Sequence, residues 1–541
     1  MSLLQIRDLR LSIGGHEVLK GVSLDLAPGE ILGLVGESGS GKSLTALSIL
    51  RLLPAGSALS GAIVLDGQDL TGLPEAAMRQ VRGSQVGVVF QEPMTALNPL
   101  MTIGDQVAEA IALHRKVGKA QARTAAAQAL ARAGLPNDRF PLDRYPHELS
   151  GGQRQRVAIA VATALKPKLL IADEPTTALD VTTQAQILDL LKSLAREDGC
   201  GLILITHDLA VVAETADRVA ILQAGEIVEQ GPTAALFRNL THPYAKKLAE
   251  DAVLAQAPPP MRAEGGGPIL EVRDLLRTYG ARRALPWSKA EAFRAVDGVS
   301  LAVRAGETVG LVGESGSGKS TLLRAVLGLD RLQGGAVTID ERPFPPVSPG
   351  EARQLRRKIQ AVFQDPYGSF DPRWRVEDLV AEPFHLMEAP PTGEARRARV
   401  AAMLARVGLP ADAAGRYPHQ FSGGQRQRIA IARALITEPK LVVLDEAVSA
   451  LDVTVRAQIL ALLAELQREL GVAYLFVTHD LGVVRAICHR VLVMQAGKIV
   501  EQGPTAQVFA NPQHAYTRTL LAATPDLERA LAARELNPDA P

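Results

Sequence analysis

The chain is short of cysteine, of net charge and of long apolar runs, and each shortage excludes something. Only two cysteines, Cys200 and Cys488, occur among 541 residues, with no CxxC spacing. No disulfide framework and no cysteine-held metal cluster are expected, and both thiols read as small core residues of a reducing compartment. Lysine and arginine number 59 against 58 acidic residues, a net charge of +1. A nucleic-acid partner usually demands a basic excess or stripe, so none is expected. No uninterrupted apolar run approaches the roughly 18 residues of a membrane helix. The opening MSLLQIRDLR has no charged start followed by an apolar stretch and a cleavage site, so no secretory signal is expected. The expected location is cytoplasmic, with no direct membrane span; any contact with a membrane must pass through a partner.

What the chain does have is repetition. GESGSGKS occurs at Gly36–Ser43 and again at Gly313–Ser320, an offset of 313 − 36 = 277. SGGQRQR at Ser150–Arg156 returns at Ser422–Arg428, and THDL at Thr206–Leu209 returns at Thr478–Leu481, both offset by 422 − 150 = 478 − 206 = 272. GxIVEQGPT at Gly225–Thr233 and Gly497–Thr505 keeps that offset. Separated strings repeating in one order mean a duplicated domain rather than a short-period solenoid. The domains are expected at 1–256 and 269–541, joined by a Pro/Gly-rich linker at 257–268. A few extra residues, ARRALPWSK among them, fall between Gly280 and Ala295.

Within each copy, apolar runs alternate with helical patterns. Ile31–Val35 and Thr308–Val312 read as buried strands, followed by helices at Ser43–Leu53 and Ser320–Leu329. Leu169–Ala172 and Leu441–Leu444 read as strands running into acidic pairs, and alanine-rich Asp105–Gly134 as helices. The fold class is therefore α/β, a nucleotide-binding core with an inserted helical region.

GESGSGKS fits the phosphate-binding pattern G-x4-G-K-[ST] between a strand and a helix. Gly36, Ser38, Gly39 and Gly41, with Gly313, Ser315, Gly316 and Gly318 in the second copy, let backbone N–H groups converge on phosphate oxygens. Lys42 and Lys319 should reach the β- and γ-phosphates, and Ser43 and Ser320 should offer hydroxyls to Mg²⁺. Asp173 and Asp445 end their strands beside the loop, placed to hold the Mg²⁺ shell. Glu174 and Glu446 follow, placed to polarise an attacking water.

The order of these strings resembles the ABC ATPases, over nearly the whole chain and twice. The resemblance implies two tandem ABC-type nucleotide-binding domains that bind and hydrolyse ATP with Mg²⁺ at a shared interface. It makes Gln91 and Gln364 the Q-loop glutamines that sense the metal, and His207 and His479 the switch histidines at the γ-phosphate. It makes Ser150, Gly151, Gly152 and Gln153, with Ser422, Gly423, Gly424 and Gln425, the signature motifs, each facing ATP held by the other domain. Asp180 and Asp452 close the two ALD strings of the D-loops. An aromatic ring that stacks on adenine usually stands upstream of the phosphate loop; Tyr279 fits that place, where the first copy has Ile13. The string DEPTTALD becomes DEAVSALD in the second copy, with the acidic pair kept, so activity is expected in both.

FQEPMTALNP, FQDPYGSFDP, RYPHELSGGQRQR and RYPHQFSGGQRQR resemble segments of bacterial dipeptide, oligopeptide and nickel importers. The tails THPYAKKL and QHAYTRTLL do too. A fused pair with SILRLLP and ALHR looks most like the ATPase of microcin C-type peptide importers. That resemblance implies two membrane permease subunits, a periplasmic peptide-binding protein, and a seat on the inner face of the bacterial inner membrane. The alternatives are a soluble ABC protein acting on ribosomes and an importer ATPase for nickel or another small solute; the ribosomal factors usually carry a long charged linker, unlike the short one here.

Overall fold

The computed structural model describes residues 2–177, 179–253, 258, 267–280, 293–346 and 348–536. Most of the expected linker, the insert at 281–292 and Ala178 of the first D-loop lie outside these residues.

Each half builds the same pair of sheets. The run Ile31–Val35 is buried at every residue, as is Thr308–Val312. Continuous rather than alternating apolar character marks a strand covered on both faces, which is the habit of parallel sheets. In the first half the six strands lie in the order Glu226–Pro232, Arg218–Gln223, Ile31–Val35, Gly201–Thr206, Leu169–Asp173, Val86–Val89. All neighbours pair in parallel except the outermost Glu226–Pro232 strand. The second half repeats the order with Lys498–Pro504, Arg490–Gln495, Thr308–Val312, Ala473–Val477, Leu441–Asp445 and Ile359–Val362. A four-stranded antiparallel sheet accompanies each, built on Leu4–Ile13 and on Leu270–Tyr279. Ile13 and Tyr279 stand at the same place, the last residue of their strands.

The helices after the phosphate loops run over Lys42–Leu50 and Lys319–Val326, three residues short of the sequence expectation at each C-terminus. Arg51 turns left-handed at φ 52° and returns its N–H to Leu47 and Ser48, and Gly328 turns at φ 67°. These turns stop helices that apolar periodicity alone would prolong. The alanine-rich stretch forms two helices, Ile103–Arg115 and Lys119–Arg132, the first capped by the Thr102 side chain and ended by left-handed Lys116.

The two halves share side chains. Val181 packs in the second half's core, and Val453 in the first's. The tails cross as well. The Pro243–Val253 helix lies against Val453–Leu470, Ala515–Ala523 against Val181–Asp198, and Leu527–Leu536 against Leu209–Thr215. Leu527 and Ala530 join the first half's core, and Arg534 donates to the Ala213 and Ala216 carbonyls at 2.6 and 2.8 Å. Each buried valine or leucine is worth about 1.5–3 kcal/mol. Among the described residues no helix is long and apolar enough to cross a membrane.

Candidate functional site

Every functional candidate of the core stands at the carboxyl end of a parallel strand, where open α/β sheets bind ligands. Gly36 follows Val35, His207 follows Thr206, Asp173 ends its strand, and Gln91 lies two residues beyond Val89. The neighbours in the sheet bring them together. Gly36 has φ 152°, and a Cβ there would lie 2.2 Å from the Leu222 carbonyl oxygen; at Gly313 the equivalent distance to Met494 is 2.1 Å. Only glycine lets the loop pass so close to the next strand. Lys42 Nζ donates to the Gly36 and Glu37 carbonyls at 2.7 and 2.8 Å, and Lys319 to Gly313 and Glu314 at the same distances. Burial lowers both lysine pKa values, against the pull of Glu174, Asp173 and Asp452 on one and of Glu446, Asp180 and Asp445 on the other.

Glu174 and Glu446 turn left-handed, with φ 46° and 47°. A non-glycine residue held there costs energy that the surroundings must supply, a feature common at functional sites. The turn is pinned by the Glu174 N–H on Ile205 O and the Glu446 N–H on Val477 O, at 2.9 and 2.8 Å. Three groups then converge on the Glu174 carboxylate and two on that of Glu446. Gln91 Nε2 and Thr177 Oγ1 donate to Glu174 Oε2 at 2.8 and 2.9 Å, and His207 Nδ1 lies 3.2 Å from Oε1. Glu446 takes Gln364 Nε2 at 2.8 Å and has His479 Nδ1 at 3.3 Å, but Ser449 bonds its backbone carbonyl instead of its carboxylate. Burial pushes Glu174 upward, yet His207, Thr177 and Lys42 outweigh it and hold the carboxyl at about 2. Burial also pushes Glu446 upward, and His479 and Lys319 outweigh it and lower its pKa.

The strand-end aspartates go the other way. Burial raises Asp173, helped by the Glu174 charge and opposed by a Ser43 hydrogen bond; burial and Glu446 push Asp445 up to about 6. Asp173 Oδ1 is buried without a hydrogen-bond partner, beside the Ser43 hydroxyl. A hard oxygen pair of this kind, one atom of it unsatisfied, suits Mg²⁺, whose other positions belong to waters and phosphate oxygens.

Ser150 and Ser422 cap the helices Gly151–Thr163 and Gly423–Leu435. Each forms a capping box: the serine side chain accepts from the backbone of Gln153 or Gln425, whose side chain accepts the serine N–H. A Cβ on Gly152 would lie 2.3 Å from Thr183, and on Gly424 2.4 Å from Val455. The second glycine of each motif therefore admits the helix that starts at the D-loop aspartate of the same half. Asp180 also crosses the interface: Ser315 N–H in the second phosphate loop donates to it at 3.3 Å, and Thr182 Oγ1 lies 3.1 Å from Glu314 Oε1. On the opposite side Asp452 is near enough to raise Lys42.

Thus the structure gathers phosphate loop, Gln, Asp-Glu and His in each half, with a D-loop aspartate arriving from the other half. Tyr279 is 41% exposed, with the Arg277 guanidinium 5.0 Å from its ring centre and Phe293 paired across from it. Sequence reasoning missed Phe293, Thr177 and two tail tyrosines. Glu37 N–H donates to Tyr244 Oη, and Glu314 N–H to Tyr516 Oη. The tail strings had signalled a family resemblance, but not this contact.

Comparison with known proteins gives the family. The family described as ABC transporter matches residues 19–177 and 296–449, and the one described as oligopeptide/dipeptide transporter, C-terminal region, matches 228–265 and 500–541. A peptidoglycan transport ATP-binding protein, YejF, of Agrobacterium fabrum is 47% identical, over 97% of this chain and 97% of its own. A glutathione import ATP-binding protein, GsiA, of Escherichia coli O157:H7 is 48% identical over 94% of this chain and 87% of its own. A solved dimeric ATP-binding cassette, MJ0796, bound to ADP and Pi is 32% identical, covering 44% of this chain and 98% of that one with a TM-score of 0.39. With both halves matched and near half of all residues shared across its length, the chain belongs to the ABC transporter family as a tandem ATP-binding, ATP-hydrolysing protein.

Proposed function

We propose that this ATPase powers import of peptides, microcin C-like or oligopeptides, through a membrane transporter whose other parts are two permease subunits and a periplasmic peptide-binding protein. The observation that carries the reading is the doubled cluster of Gln, Glu and His around one left-handed carboxylate in each half, beside a phosphate loop. The peptide class draws support from the tails at 228–265 and 500–541 and from relatives whose names carry glutathione, itself a tripeptide, and peptidoglycan. Domain limits of 1–256 and 269–541 go with this reading.

The first ATP lies on Gly36–Ser43 with Ser422–Gln425 opposite, and the second on Gly313–Ser320 with Ser150–Gln153 opposite. Ser43, Gln91 and Asp173 would hold Mg²⁺ at one site, and Ser320, Gln364 and Asp445 at the other. When bound, the metal neutralises charge on the β- and γ-phosphate oxygens. Glu174 or Glu446, kept ionised, would orient water in line with the γ-phosphorus and draw its proton as the new P–O bond forms and the bond from the γ-phosphorus to the bridging oxygen breaks, releasing ADP and phosphate. His207 or His479, steadied by that carboxylate, donates a hydrogen bond to a γ-oxygen. The lysine leaves the loop carbonyls for the phosphates. ATP closes the halves and hydrolysis releases them.

The permeases dock after each Q-loop, at Met94–Leu100 and Tyr367–Arg373. Leu100 in the first segment and Tyr367 in the second are exposed apolar side chains, and Phe90, Phe363 and Trp374, close to them in sequence, are exposed as well. This seats the protein on the inner face of the inner membrane. Reconstitution of the whole transporter tests the reading: a peptide-loaded binding protein should stimulate ATP hydrolysis. Stimulation by nickel or sugar ligands with none by peptides would refute the peptide assignment.

A further inference from the structure

The groups proposed for catalysis sit on strand ends and loops of the two cores. One contact to the phosphate loop comes from elsewhere. Glu37 N–H donates to Tyr244 Oη at 2.9 Å and Glu314 N–H to Tyr516 Oη at 2.8 Å, across 207 and 202 residues of chain. The bond occurs in both halves, which makes it a feature of the duplicated unit. Each tyrosine lies in the first turn of a short tail helix, Pro243–Val253 or Ala515–Ala523.

That helix packs in the core of its own half, where Ala245 and Leu248 of the first tail and Tyr516 and Leu520 of the second are buried, and it also touches the other half. Pro243–Val253 lies on Val453–Leu470, and Ala515–Ala523 lies on Val181–Asp198. These are the two helices that open at Asp452 and Asp180. In the second site the phosphate loop is thus gripped twice by one assembly. Tyr516 takes the Glu314 N–H, while Asp180 takes the Ser315 N–H and Thr182 meets the Glu314 carboxylate. Burial, with the charges of Glu37 and Asp452 or of Glu314 and Asp180, pushes each phenol to about 12 against the backbone N–H. The hydroxyl therefore stays neutral at physiological pH, an acceptor that does not compete for the phosphate charge.

We propose that Tyr244 and Tyr516 are positioning residues that hold each phosphate loop in its anion-binding shape while the tail helix rests on the opposite half. Pairing of the halves then sets ATP affinity from outside the nucleotide core. Without the hydroxyl, the second residue of the loop loses its anchor, and ATP must order it on binding. The effect falls on KM rather than kcat, since neither phenol reaches the carboxylate that polarises water.

The inference rests on the phosphate loops being the ATP sites. The test uses the full-length chain carrying Tyr244→Phe and Tyr516→Phe, in which the ring still fills its place. The expected result is a KM for ATP raised about three- to tenfold, the worth of one hydrogen bond. The kcat should stay within about twofold, and the nucleotide-free melting temperature should fall by no more than the loss of one hydrogen bond in each half accounts for. A lower melting temperature with unchanged KM would overturn the proposal in favour of simple packing. A second variant, Leu248→Ala with Leu520→Ala, loosens both tail helices and leaves the hydroxyls; it should raise KM, and adding the phenylalanines should then change little. Fully additive effects would overturn the link between the hydroxyls and the seating of the tail helices. The pair Lys42→Ala and Lys319→Ala separates the two levels. If it abolishes ATP binding while the phenylalanines leave KM unchanged, the tyrosine proposal alone fails; if the parent chain binds no ATP, both fail.

Discussion

The two halves share a fold and a constellation but are not copies in their energetics. In the first, Thr177 adds a hydrogen bond to the Glu174 carboxylate; in the second, Ser449 spends its hydroxyl on the Glu446 backbone. In the second, Asp180 of the partner half reaches the Ser315 N–H; among the described residues the first phosphate loop receives no such bond from Asp452. Arg433 ties the loop after the second Q-loop to the signature helix through the Ser369 carbonyl and hydroxyl, at 2.9 and 3.2 Å, where the first half has Val161. The difference teaches that duplication kept the groups proposed to face the phosphates and let the supports around them drift. Groups that face a fixed ligand geometry tolerate little change, whereas a hydrogen bond behind them can move from one partner to another at a cost of about 1 kcal/mol.

The largest effect should come from removing the carboxylates. Glu174→Gln and Glu446→Gln each leave the phosphate contacts in place but cannot take a proton from water. The double variant should lose about a hundredfold to ten-thousandfold in hydrolysis and retain bound ATP. Single variants sharpen the comparison: substantial turnover in one of them would locate all the activity in the other half. Wild-type turnover in the double variant would break the assignment outright.

Next comes the adenine side. Tyr279 offers a flat ring and Ile13 does not, and stacking on an aromatic side chain is worth roughly 1–3 kcal/mol per base. The first site should therefore bind ATP about ten- to a hundredfold more weakly. Nucleotide titration with Lys42→Ala or Lys319→Ala silencing one site at a time would read the difference. Ile13→Tyr should narrow it and Tyr279→Ala should erase it. Equal affinities that ignore both substitutions would remove this asymmetry.

A smaller effect is expected at Arg433. Arg433→Val copies the first half and strips two hydrogen bonds from Ser369. A melting curve should show a loss of about 1.5–3 kcal/mol, as for hydrogen bonds from a charged group. The smallest contrast concerns the thiols. Burial and the Asp198 charge push Cys200 up to about 12, and burial raises Cys488 further still. Neither should react with a maleimide at pH 7 in the folded chain, and both should react in denaturant. Rapid labelling of one alone would show that its half opens.

Much of this was legible in the sequence because the chemistry is local. Strand, glycine loop and helix are contiguous around Lys42, and an apolar run ending in Asp173-Glu174 announces its own strand end. The helix C-termini at Leu50 and Val326 were not, since apolar periodicity runs on through residues that the backbone has already turned. The left-handed Glu174 was not legible either, because its conformation is imposed by Ile205 on a neighbouring strand. Tyr244 and Tyr516 stood inside noticed strings, but a hydrogen bond across some 200 residues leaves no periodicity to read. The exchange of Val181 and Val453 between the cores escaped for the same reason: each reads as an ordinary apolar residue opening a helix.

The helix Leu527–Leu536 lies on Leu209–Thr215, and Arg534 reaches back 318 residues to the Ala216 carbonyl. Synthesis runs from the N-terminus at about 5–20 residues per second. The Leu209–Thr215 surface therefore leaves the ribosome roughly 16–64 s before the helix that covers it exists. Closing so long a loop is entropically mild, since each doubling of length adds only about 0.6 kcal/mol. The delay matters more than the entropy: during translation the first half has to fold, and stay in solution, with one apolar face bare.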